Sequence, residues 1–139
     1  VKVLFAIAVT IVFISGWLFF SSPSACGADC AASQTISVAA QEFAQHIQEP
    51  EVIILDVRTP EEFAAGHIEN AINVDFNNPA EFQATLATLD KQTEYAIYCR
   101  SGNRSGQAME IMREQGFSSI TNLSDGIIEW QASGLQLVQ

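Results

Sequence analysis

After an almost unbroken apolar segment from Val3 to Phe20 and a polar stretch from Ser21 to Ser33, the chain settles into short apolar runs that alternate with helical stripes. Ala40, Phe43, Ala44 and Ile47 recur at i, i+3, i+4 and i+7 and predict a first helix with one apolar face. Glu51-Val52-Ile53-Ile54-Leu55 is apolar beyond its first residue, the pattern of a strand covered on both faces. Thr59-Pro60-Glu61-Glu62 then supplies an N-cap, a proline at the first helical position and a capping-box glutamate, so a short helix begins there. Ala71 to Val74 predict the next strand, and Phe82, Leu86 and Leu89 the next helix. Tyr95 to Tyr98 form a further buried strand, Ala108, Met109 and Met112 the core stripe of a helix that Gly116 ends. Ser119 to Leu123 give one more strand, and Gly126 to Gln131 a last short helix before Gly134. Such alternation implies an α/β domain built on a mostly parallel sheet with helices on both faces.

Ligands in sheets of this kind gather at the carboxyl ends of the strands. One such end stands out, because the run Glu94 to Tyr98 breaks abruptly into Cys99-Arg100-Ser101-Gly102-Asn103-Arg104-Ser105 before a helical pattern resumes. A strand feeding a short polar loop that opens a helix presents backbone N–H groups to whatever sits in the loop. A cysteine there should be acidic, since arginines and amide dipoles favour its thiolate.

Charge sharpens that picture. The chain has 6 Lys+Arg against 16 Asp+Glu and a net charge of −10. Lys2 and Asp29 cancel, so the whole excess belongs to the remainder of the chain, where Arg100 and Arg104 are two of very few cations. Scarce arginines beside one cysteine suit a small anion. The same acidity argues against nucleic-acid binding, which needs a basic face.

At 139 residues the chain divides into an N-terminal segment and linker, 1–33, and one domain, 34–139. Residues 3–20 would span about 27 Å as a helix, just short of a bilayer core. They read as a signal peptide or membrane anchor, with Lys2 placing the N-terminus in the cytoplasm and the domain outside it. An exported, periplasmic or other extracytoplasmic domain is therefore expected, tethered by residues 3–20 where these are not cleaved. Cleavage near Ala25-Cys26-Gly27 and lipidation of Cys26 are the alternatives to a tether. In an oxidising compartment Cys26 and Cys30 have the spacing for a small disulfide, which leaves Cys99 free to react. No metal site with zinc-like ligand spacing is present in the sequence.

Four segments in order, Leu55-Asp56-Val57-Arg58-Thr59-Pro60-Glu61-Glu62-Phe63, Gly66-His67-Ile68-Glu69-Asn70-Ala71-Ile72-Asn73-Val74, Tyr98 to Ser105 and Gly126-Ile127-Ile128-Glu129-Trp130, resemble the successive motifs of the rhodanese family. The resemblance covers nearly all of residues 34–139 and implies a five-stranded rhodanese-like sheet and a sulfurtransferase needing no cofactor. It implies that Cys99 attacks the outer sulfur of thiosulfate or a similar anionic donor, carries it as a persulfide and passes it to a thiol or cyanide. Arg100, Ser101, Gly102, Asn103 and Arg104 would bind the donor, through their amides and through the two guanidinium groups at the mouth.

Phosphatases of the same fold carry His-Cys, five residues and then Arg. Here four residues separate Cys99 from Arg104, and Tyr98 stands in place of the histidine, so the shorter loop favours sulfur over phosphate. Asp56 and Arg58 are expected to brace the loop, His67 to be a hydrogen-bonded packing element, and His46 to lie on a helix surface. Trp130 reads as a core or lid residue, and Glu61 and Glu62 as capping groups. Two other functions stay open: a non-catalytic module that binds a partner through the same fold, and a thiol-disulfide protein using Cys26 and Cys30.

Overall fold

The computed structural model describes residues 33–139. The apolar segment 3–20 and the pair Cys26 and Cys30, with the expectations about export, anchoring and disulfide formation, lie outside the described residues. Among the described residues no helix is long and apolar enough to cross a membrane.

The elements in chain order are β1 (Gln34–Val38), α1 (Ala40–His46), β2 (Ile53–Asp56), α2 (Pro60–Ala65), β3 (Ile72–Asn73), α3 (Pro79–Leu86), β4 (Glu94–Tyr98), α4 (Asn103–Glu114), β5 (Ser119–Leu123) and α5 (Gly126–Ala132). The five strands pair in parallel in the order β1-β5-β4-β2-β3, which puts β4 at the centre and every carboxyl end on one side.

Side chains alternate across the sheet and so divide the core in two. Leu55, Tyr95, Ile97, Cys99 and Ile120 pack with Phe82 and Leu86 of α3 and Ala108 and Met112 of α4. Ile54, Ala96, Tyr98 and Leu123 pack on the other face with Ala40 and Phe43 of α1 and Ile127 and Trp130 of α5. Cys99 thus continues the row of β4 that faces α4. Phe43 meets both Tyr98 and Trp130 edge-on, with ring centroids 6.5 and 6.3 Å apart, while the Trp130 indole N–H donates to the Gln136 carbonyl at 2.9 Å. Trp130 is a core residue.

Three details depart from the sequence pattern. β1 was not marked by any apolar run, because it is an edge strand in which only Val38 is buried and Ile36 is 54% exposed. Its register comes from the ladder with β5, from Gln34 opposite Ser119 to Val38 opposite Leu123. β3 is only two residues long and leaves Ile72 half exposed. α3 stops at Leu86, so Leu89 packs on the core from the following turn.

Candidate active site

β4 ends at Tyr98, whose buried hydroxyl accepts from the Ile68 N–H at 3.0 Å. Cys99 follows at 1% exposure, and Gly102 caps α4 in the left-handed region, at φ +82°. A β-carbon on Gly102 would overlap the Ser124 carbonyl oxygen, and one on Gly126, at φ +64°, would sit 2.5 Å from the Arg100 carbonyl. Two glycines therefore allow the loop and the start of α5 to touch. Across that contact the N–H groups of Ile127 and Ile128 donate to the carbonyls of Cys99 and Arg100, at 2.9 and 3.2 Å.

With those carbonyls engaged by α5, the N–H groups of the loop are free to serve the sulfur. Burial is the strongest influence on the Cys99 thiol and raises its pKa, but hydrogen bonds from the Ser105 hydroxyl and from the backbone N–H groups of Ser105, Ser101 and Arg104 outweigh it. The thiol therefore lies below its ordinary value of 9.0. Ser105, the third residue of α4, is fully buried with its hydroxyl 3.4 Å from Sγ.

The arginines divide unequally. Arg104, expected to add charge at the mouth, is paired there: its Nη1 and Nη2 donate to the two carboxylate oxygens of Glu62 at 2.7 and 2.8 Å. Glu62 is also the capping-box residue of α2, accepting from the Thr59 N–H at 3.2 Å. Hydrogen bonding from Arg104 is the main reason its carboxyl pKa is held down to about 2. Arg100 is exposed and forms no ion pair among the described residues. Capping thus accounts for only half of what Glu62 does, and one of the two loop cations is already neutralised.

Asp56 and Arg58 pair with each other at the neighbouring end of β2. The Arg58 Nε and Nη2 groups donate to the Asp56 carboxylate at 2.6 to 3.0 Å, and Nη2 also donates to the Gly66 carbonyl at 2.8 Å. Asn73 clips the same turn by donating to the carbonyls of Asp56 and Arg58. His67 stacks on Phe63 at 3.8 Å with Nδ1 3.1 Å from the Phe63 carbonyl, and none of its hydrogen bonds reaches the cysteine loop. His46, the last residue of α1, is partly buried and not on the open helix surface, because its Nε2 turns towards β4 and lies 3.4 Å from a Glu94 carboxylate oxygen. Among the described residues no cluster of three His, Cys, Asp or Glu side chains is arranged to hold a metal.

Sequence reasoning missed Ser105 as a partner of the sulfur and Glu62 as a partner of Arg104. A serine in the first turn of the helix after the cysteine was the available signal for the first. Nothing local signals the second, since 42 residues separate the pair.

The chain is 34% identical over 99 residues to a sulfurtransferase of Allochromatium vinosum, a match covering 70% of this chain and 90% of that one. It is 31% identical over 100 residues to thiosulfate sulfurtransferase GlpE of Pseudomonas aeruginosa, covering 72% and 88%. A match to tRNA uridine(34) hydroxylase of Legionella pneumophila, 38% identical over 96 residues and covering 67% of this chain, spans only 38% of that protein. In three dimensions a rhodanese-related protein from Thermoplasma volcanium superimposes with a TM-score of 0.65 at 31% identity, covering 73% of this chain and 96% of that one. The family described as Rhodanese-like domain matches residues 39–133. A five-stranded parallel sheet, a cysteine loop at its central strand and these matches together place the chain in the rhodanese-like domain family.

Proposed function

We propose that this protein is a sulfurtransferase that moves sulfane sulfur from thiosulfate, or a similar anionic donor, through a Cys99 persulfide to a thiol or cyanide. The observation that carries this reading is the buried Cys99 sulfur with its pKa lowered by donors converging from Ser101, Arg104 and Ser105. Donors that favour the thiolate take over the part a general base would otherwise play.

In the first half-reaction the Cys99 thiolate forms a bond to the outer sulfur of thiosulfate. The sulfur–sulfur bond of the donor breaks, and sulfite departs with the bonding electron pair. Charge is conserved, since a thiolate and a dianion become a persulfide anion and a dianion. The N–H groups that stabilise the thiolate then face the persulfide anion. In the second half-reaction an acceptor thiolate or cyanide bonds to the outer persulfide sulfur, and the Cys99 thiolate is released as the leaving group.

Arg100 guides the donor dianion to the loop, because the guanidinium of Arg104 is occupied by Glu62. Net charge of −10 speaks against the tRNA substrate of the hydroxylase relative, whose match covers a minority of that protein.

Intact mass spectrometry after incubation with thiosulfate tests the reading. The protein should gain the mass of one sulfur atom, lose it on adding cyanide, and gain nothing as Cys99→Ser. No sulfur adduct with thiosulfate or with other sulfane donors would overturn it in favour of a binding module. A disulfide from Cys99 to Cys26 or Cys30, found by peptide mapping without reduction, would favour thiol-disulfide exchange instead.

A further inference from the structure

We propose that Glu62 is a positioning residue for Cys99, gripping Arg104 from α2 so that the first turn of α4 aims its backbone N–H groups at the sulfur. The inference deepens the sulfurtransferase reading and rests on its assignment of Cys99 as the nucleophile.

A capping glutamate has done its work once it accepts from the backbone of its N-cap residue, as Glu62 does from the Thr59 N–H. Glu62 goes further, because both of its oxygens also engage Arg104 in a two-pronged pair at 2.7 and 2.8 Å. Such a fork fixes direction as well as distance. Arg104 is the second residue of α4, and its own N–H and that of Ser105 are among the donors to Cys99. The loop is thus fastened from two sides. The amides of α5 hold its carbonyls, and the carboxylate of α2 holds its helical end.

Other charges near the loop do not duplicate this role. Asp56 and Arg58 neutralise each other at the end of β2, Arg100 is exposed within the loop, and Asp125 is exposed ahead of α5. Among the described residues, the Glu62–Arg104 pair is the one ion pair that ties the loop to a separate helix.

Position and charge make opposite predictions for Glu62→Gln. Were the pair important only for its charges, Glu62→Gln would release a cation beside the thiol and lower its pKa, while Arg104→Gln would release an anion and raise it. Positioning requires that both substitutions raise it, since either one frees the first turn of α4.

The test is the pH dependence of Cys99 alkylation by iodoacetamide in the full chain, with Cys26 and Cys30 changed to serine so that one thiol reports. Glu62→Gln and Arg104→Gln should each move the midpoint up by about one pH unit. An unchanged or lowered midpoint in Glu62→Gln overturns the proposal. Should either variant melt below the assay temperature, Arg104→Lys keeps the charge while losing the fork, and the same upward shift is expected. Alkylation needs no sulfur donor, so a protein inert towards thiosulfate still answers the question about Glu62.

Discussion

Cys99 owes its acidity to hydrogen-bond donors in its own loop, and Ser105 is the one side chain among them. Its hydroxyl lies 3.4 Å from Sγ and stabilises the thiolate form over the thiol. Because the folded thiol is held below its ordinary value, the rate of sulfur uptake should climb with pH and reach its plateau at lower pH than alkylation of an unperturbed cysteine does. Ser105→Ala should move the rise to higher pH, with uptake about three- to tenfold slower near neutrality and almost normal on the alkaline plateau. Stopped-flow sulfite release across pH reads both limbs, and equal loss at every pH would show that the hydroxyl acts in some other way. The setting of Cys99 was legible because a strand end, a polar loop and a helix start are encoded by a few consecutive residues. The partner of Arg104 was not, because it is supplied by α2 from far away in sequence. The pairing of Asp56 with Arg58 falls between these cases, as two residues apart on a strand end they can fold back on each other.

Among the elements, α2, α4 and α5 each contribute their first turn to the site, and glycine permits the closest approach. Gly126 and Gly134 both have positive φ, +64° and +78°, but a β-carbon on Gly126 would strike Arg100 whereas nothing lies within 4 Å of one on Gly134. Gly134→Ala should therefore cost only the backbone term, about 1 kcal/mol. Gly126→Ala adds a collision with the cysteine loop and should cost about 2–4 kcal/mol, with sulfur uptake impaired as well. Urea denaturation compares the two, and equal losses would mean that the loop yields freely to the added methyl. The periodicities revealed most of these elements, since α1, α4 and β4 each bury a regular stripe or run. β1 escaped because an edge strand is held by backbone pairing and shows only Val38 to the core.

For the whole molecule, parallel pairing brings the ends of β2 and β4 to one side, so the braced Asp56–Arg58 turn and the cysteine loop are neighbours. The site opens on a chain of net charge −10, and a donor dianion approaches against that field. Salt should screen the repulsion, since the Debye length falls from about 30 Å at 0.01 M to about 8 Å at 0.15 M. The second-order rate of sulfur uptake from thiosulfate should rise about two- to threefold over that range. A steady fall would mean that local attraction at Arg100 outweighs the acidic whole. By itself the sequence determined the α/β alternation, the position of the cysteine loop at a strand end and the acidity of the chain, because each is set by residues close together or by a simple sum. Tertiary structure alone decided that β1 completes the sheet, that Arg104 is spent on Glu62, and that the α5 amides hold the carbonyls of the cysteine loop. Those outcomes depend on which helix ends and strand edges meet, and that is fixed only when the two halves of the core close around the sheet.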